Sequence, residues 1–279
     1  TASAVSVAFS VNNTGQVTVQ GGSISMLGAV SSSQGAMWNV ENSGTSLSLL
    51  GGGAFESGTI SVTSQEAKVV VGSGPSCGSS SGVGLPTFTL QPGATVSCSG
   101  SFVAAGADIS VLGSFTSSFS TTVTGGQIVF GQFRGSGNPV VSLSGAVSVR
   151  SGVLRVSQTA SLTGSLVIGA GDTAREVGIL DLAAGSTVQD LGPDINVLAG
   201  GILNINGGLS GSGLQLGQLL LGGTLNFNGG GNLLVEYLTL QGGIVASTSF
   251  ISVLESFLWL EGTLLGQGLI SAIPRWARR

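Results

Sequence analysis

The sequence predicts an all-β fold: a single-stranded parallel β-helix, or β-solenoid, of about a dozen coils, taken as right-handed. Three observations predict it. A Gly-led strand motif recurs at near-constant spacing, apolar residues alternate with period two inside each copy, and no window of twelve residues carries an amphipathic 3.6-residue period.

The motif reads Gly, any residue, aliphatic, any residue, aliphatic. It occurs at Gly126-Gln127-Ile128-Val129-Phe130, Gly152-Val153-Leu154-Arg155-Val156, Gly178-Ile179-Leu180-Asp181-Leu182, Gly201-Ile202-Leu203-Asn204-Ile205 and Gly223-Thr224-Leu225-Asn226-Phe227. Degenerate copies follow at Gly243 and Gly262, so that successive glycines lie 26, 26, 23, 22, 20 and 19 residues apart. Successive side chains of a strand point to opposite faces, so the second and fourth residues after each Gly share one buried face. The expected inward column is Ile128, Leu154, Leu180, Leu203 and Leu225, with Phe130, Val156, Leu182, Ile205 and Phe227 beside it. The Gly before each strand is read as the residue that takes a positive φ at a tight corner. Further copies at Gly15, Gly22, Gly58 and Gly145 imply more than one strand per coil, because Gly15 to Gly22 and Gly145 to Gly152 are each seven residues, a short strand plus a corner. A sandwich of two sheets is the structural competitor; near-constant motif spacing favours the solenoid.

One β-solenoid domain is expected over 1–279. Coils over 1–119 are less regular, coils over 120–270 are regular, and 271–279 forms a tail. Strands are hardest to read between Ala29 and Gly53, where Trp38 and Glu41 sit in a polar run. Cys77 and Cys98, in a segment rich in Gly, Ser and Pro, are expected to form a disulfide closing a loop over 77–98. An even cysteine count with one Lys and little charge suits an oxidising, extracellular setting. The chain starts at Thr1 with neither an initiator Met nor a basic-then-apolar leader, which reads as a mature product or an excised fragment.

Segments such as 201–213 (GILNINGGLSGSG), 222–231 (GGTLNFNGGG), 257–268 (FLWLEGTLLGQG) and 178–188 (GILDLAAGSTV) resemble the repeats of extracellular right-handed parallel β-helix proteins, above all autotransporter passenger domains and large surface adhesins. The resemblance covers roughly residues 120–270 and rests on composition. It implies an adhesive or scaffold-forming role at the cell surface. The cysteine pair departs from bacterial passengers, which usually avoid cysteine.

Composition excludes several classes. Gly supplies 49 of 279 residues, charged residues 7% and hydrophobic residues 42%, an aliphatic content foreign to disordered chains. Pro occurs six times and Gly has no three-residue period, which removes collagen. Every apolar run is interrupted within about ten residues, short of the ~20 a membrane helix needs. With a net charge of −4 and no basic cluster beyond Arg275, Arg278 and Arg279, nucleic-acid binding is not expected. There is no His, the commonest general base and metal ligand.

Candidate chemistry is sparse. The rival to a structural role is a polysaccharide-active β-helix enzyme, and the densest carboxylate group for it is Asp172, Glu176, Asp181, Asp190 and Asp194. Asp190 and Asp194 flank Leu191-Gly192-Pro193 and read as turn residues, while Asp181 falls one coil after Arg155 at the same motif position and reads as its surface ion-pair partner. Gly74-Pro75-Ser76-Cys77-Gly78 matches a nucleophile elbow, but there is no His to activate a serine. No catalytic residue, cofactor or metal is therefore expected. Asn204 with Asn226, and Asn206 with Asn228, are each 22 apart and either stack as amide ladders or lie scattered at turns. Asn12-Asn13-Thr14 is an N-glycan acceptor pattern at Asn12. A carbohydrate- or ice-binding module would need a regular aromatic or Thr array; Thr87-Phe88-Thr89 and Thr122-Val123-Thr124 do not recur from coil to coil in the sequence.

The expected partners are other copies of the chain, in an oligomer or filament, and surface glycans. If Leu238, Leu240, Leu258 and Leu260 point inward, Tyr237, Phe257 and Trp259 form an outward aromatic strip suited to contact. The competing arrangement is a bulge between Leu254 and Leu258 that turns the rings toward the core, or cover by the tail from Ser271.

Overall fold

The computed structural model describes residues 3–72, 85–131, 140–170, 176–209 and 214–272. Among these there is no helix: 28 strands pair in parallel. The fold is a parallel β-solenoid of about 11 turns in total, each turn contributing one strand to each of three ladders. The chain divides into two compact units, Thr1–Gly145 and Ala146–Arg279.

In Thr1–Gly145, the first ladder runs through Ala4–Val7, Ser23–Met26, Ser46–Leu49, Lys68–Gly72, Ser101–Ala105 and the start of Ser120–Phe130. The second contains Val11–Asn13, Val30–Ser32, the starts of Gly53–Val62 and Thr87–Cys98, Ala107–Val111 and the end of Ser120–Phe130. The third contains Gln16–Val19, Met37–Val40, the ends of Gly53–Val62 and Thr87–Cys98, Ser114–Ser117 and Val141–Leu143. The stretch from Ala29 to Gly53, hard to read in sequence, holds three ordinary coil strands.

Thr87–Cys98, expected to lie in a loop, is also a strand. Phe88, Leu90, Ala94, Val96 and Cys98 are buried, and the register shifts between Leu90 and Gly93, beside Pro92. A bulge is where a strand tolerates a residue without an N–H. The core of this unit is aromatic. Trp38 packs on Phe55 and Phe55 on Phe88, with ring centroids 6.3 and 5.3 Å apart, and Phe102, Phe115 and Phe130 follow at 5.0 and 5.3 Å. The Trp38 indole N–H donates to the buried Ser32 hydroxyl at 2.7 Å, which satisfies the one polar atom the ring takes inside.

In Ala146–Arg279 the same three-ladder plan recurs with aliphatic filling. Leu154, Leu180, Leu203 and Leu225 are register partners in one column, and Val156, Leu182, Ile205 and Phe227 in the next; all are buried. In Thr1–Gly145 the corresponding motif residues Ile128 and Phe130 are buried on Ile109 and Val111. The inward alternation expected from sequence is therefore observed.

The role assigned to the motif glycines needs correction. Gly126, Gly152 and Gly262 have positive φ, but Gly178, Gly201, Gly223 and Gly243 do not. At these four a Cβ would collide with a main-chain oxygen of the preceding coil: Val149, Ile168, Gly201 and Gly223 respectively. Glycine is required there because parallel backbones approach too closely for a side chain, not because the corner is left-handed. At two of the four the residue before is left-handed: Gly200 and Gly242 have φ of 75° and 85°.

Candidate functional site

Among the described residues, two uncharged ranks run along the outer side of the third ladder of Thr1–Gly145, with Asn39 buried among its neighbours. Register places Thr18, Asn39, Ser61, Ser97, Thr116 and Ser142 in one rank, and Gln16, Met37, Thr59, Thr95 and Ser114 in a parallel one. Neither rank holds a charged residue. Strand spacing of about 4.8 Å, and about 6.6 Å between alternate residues of a strand, sets the hydroxyls on a regular grid. Gln16 Nε2 donates to Thr18 Oγ1 at 3.2 Å, Thr116 Oγ1 donates to the Val96 carbonyl at 3.3 Å, and Ser114 Oγ accepts from the Val140 N–H at 3.4 Å. Sequence reasoning missed the ranks because it sought Thr-x-Thr copies at a fixed interval. Here coil lengths vary, and Ser and Thr exchange places from coil to coil.

In Ala146–Arg279 the outer face is laddered by charge and amide pairs. Arg155 Nε lies 3.4 Å from Asp181 Oδ2, the surface ion pair expected from the motif, with the Arg side chain about half exposed. Asn226 Nδ2 donates to Asn204 Oδ1 at 2.7 Å, and Asn228 Nδ2 to Asn206 Oδ1 at 3.4 Å. Thr248 Oγ1 extends the second ladder by donating to Asn228 Oδ1 at 3.3 Å. Both amide ladders therefore form.

The other singled-out residues fare differently. Cys98 is 2% exposed, faces inward, and is a free thiol whose Sγ donates to the Gly100 carbonyl at 3.2 Å. Cys98 thus carries no bridge in this structure, and Cys77, its expected disulfide partner, lies outside the described residues. Burial pushes the Cys98 thiol up to about 11, which keeps it protonated and unreactive. Asn12 is exposed on Val11–Asn13, its side-chain oxygen accepting from the Ser31 hydroxyl at 3.2 Å.

Tyr237, Phe257 and Trp259 do not form one strip. Tyr237 is on the outer face, 44% exposed, and pairs with Ser256. Phe257 and Trp259 instead take the register of the buried Leu238 and Leu240, and Leu258 that of Thr239. The cause is an extra residue at Leu254-Glu255 opposite Glu236, a bulge that reverses the alternation downstream. The two rings stack at 6.2 Å, and Trp259 is 51% exposed.

Of the carboxylates, Asp181 is in its ion pair and Asp194 begins a strand, exposed; Asp172, the nucleophile-elbow match and the tail from 273 lie outside the described residues. Among the described residues no three acidic or sulfur side chains converge as a metal site would require. A groove of about 290 Å³ follows the corner floored by Gly200-Gly201, Gly222-Gly223 and Gly242-Gly243 and walled by Ile202 and Ile244, without a titratable side chain. No helix among the described residues is long and apolar enough to cross a membrane.

No family model, curated protein or solved structure matches the chain. The likeness to autotransporter passengers and adhesins therefore stands at the level of architecture, a β-solenoid, and what these surfaces can do follows from their chemistry. They present hydrogen-bonding groups at fixed intervals, with their few charges dispersed.

Proposed function

We propose that the protein is an extracellular structural or adhesive protein, a subunit or segment of a fibre or surface assembly, acting without catalysis through contacts with other copies and with neutral glycans. The observation that carries this reading is the pair of uncharged, hydroxyl-rich ranks across the outer face of Thr1–Gly145. Such a face binds by many weak hydrogen bonds to partners that repeat as it does, and it has no charge to desolvate. The exposed glycan acceptor pattern at Asn12 and the scarcity of charge support secretion.

The test is co-sedimentation of purified protein with insoluble neutral polysaccharides, alongside electron microscopy of the protein alone. Filaments or saturable pelleting that weakens in a Thr59→Glu, Thr95→Glu, Ser97→Glu variant would support the reading. A monomer that pellets with nothing, or that cleaves the polysaccharide, would overturn it.

A further inference from the structure

The chain contains two Asn-Gly sequences, Asn206-Gly207 and Asn228-Gly229, and the fold sets them at equivalent corners of neighbouring coils. Asn-Gly is the most labile peptide sequence toward loss of side-chain ammonia. The main-chain nitrogen of Gly attacks the Asn Cγ, gives up its proton, and expels ammonia to leave a five-membered succinimide. Water then opens the ring at either carbonyl, giving aspartate or isoaspartate. Ring closure requires that the Gly nitrogen be free to turn toward Cγ and that the side-chain amide be free to meet it.

Neither freedom exists here. The Gly207 N–H donates to the Leu182 carbonyl at 3.0 Å, and that oxygen also accepts the Asn206 N–H at 2.9 Å. One coil later the Gly229 and Asn228 N–H groups share the Ile205 carbonyl at 2.8 and 2.9 Å. Both peptide planes are thereby pinned to the coil below. The side chains are pinned to the coils above: Asn206 Oδ1 accepts from Asn228, and Asn228 Oδ1 from Thr248. Packing closes the remaining space, since a Cβ on Gly207 would strike Ser186 and one on Gly229 would strike the Gly207 carbonyl.

We propose that coil stacking holds both Asn-Gly corners in a form that cannot cyclise, making Asn206 and Asn228 latent modification sites that convert only where stacking is lost. An isoaspartate at 206 would route the main chain through the side-chain methylene. The added atom would sit between Ile205, paired with Phe227, and the pinned nitrogen of Gly207, and the coil could not regain its register. Conversion is thus a one-way chemical record of opened coils.

The test follows ammonia loss by peptide mass mapping and isoaspartate-specific methyl labelling, at mildly alkaline pH. The full-length protein is incubated in buffer and in concentrated urea, beside synthetic peptides spanning 203–209 and 225–231. Each site should convert roughly tenfold or more slowly in the native protein, since the attacking N–H must first break its coil-to-coil bond and leave its packed site. Urea-unfolded chain and peptides should agree. Equal rates in native protein and peptides would overturn the proposal. A Leu203→Ala variant that remains folded but exchanges its amides faster should convert both sites faster; unchanged rates there would assign protection to the isolated turn rather than to stacking.

Discussion

Leu203 tests the solenoid core most directly. It is fully buried, in register with Leu180 below and Leu225 above, on a strand whose next residue, Asn204, faces outward in the amide ladder. Truncation to Ala removes three carbons at about 0.8 kcal/mol each, or about 2.4 kcal/mol of transfer free energy. The stacked strands cannot collapse into the space without breaking their ladder bonds, so a cavity contribution adds to this, for a total of about 3–4 kcal/mol. Because each coil contacts only its neighbours, the loss should be local. Native-state hydrogen exchange should show it as faster exchange in Gly178–Leu182, Gly201–Ile205 and Thr224–Phe227, with urea unfolding giving the magnitude. Ile202→Ala, half-buried on the outer side of the same strand, should cost under about 1 kcal/mol. Comparable costs for the two, or a Leu203→Ala cost below about 1 kcal/mol, would refute the inward assignment.

Gly201→Ala, whose Cβ would meet the Ile168 carbonyl, should cost about 1–3 kcal/mol, whereas Gly230→Ala, with open space around it, should stay within about 0.5 kcal/mol; thermal melts compare them. Thr121 is buried opposite Phe102 with its hydroxyl unpaired, so Thr121→Val should stabilise by about 1 kcal/mol in urea titration, and a loss would mean the hydroxyl has a partner. In a Cys77→Ser background, Cys98 should resist thiol reagents until the protein unfolds. Its raised value means that between pH 9.0 and about 11 the unfolded chain releases the thiol proton while the folded chain keeps it. Stability should therefore fall with rising pH across that window, and more steeply than in Cys98→Ala, as denaturant midpoints at each pH would show.

The sequence by itself determined the elements that depend on local spacing. Period-two alternation after a corner Gly put Leu154, Leu180, Leu203 and Leu225 inside, and the near-constant coil length paired Arg155 with Asp181, because in-register parallel stacking repeats whatever a motif position holds; for Asn204 and Asn226 the sequence left the ladder open and the structure decided it. Tertiary structure alone decided the features that turn on a one-residue offset or on the neighbouring coil. A bulge at Leu254-Glu255 moved Phe257 and Trp259 to the inward register, since one extra residue reverses every later side chain. The phase of Thr87–Cys98 sent Cys98 into the core, where it is a buried free thiol. Four motif glycines proved necessary for the passage of another coil's carbonyl, which the chain's own conformation does not reveal. The hydroxyl ranks of Thr1–Gly145 likewise exist only once unequal coils are wound into register: hydrogen bonding between strands, not distance along the chain, decides which residues become neighbours.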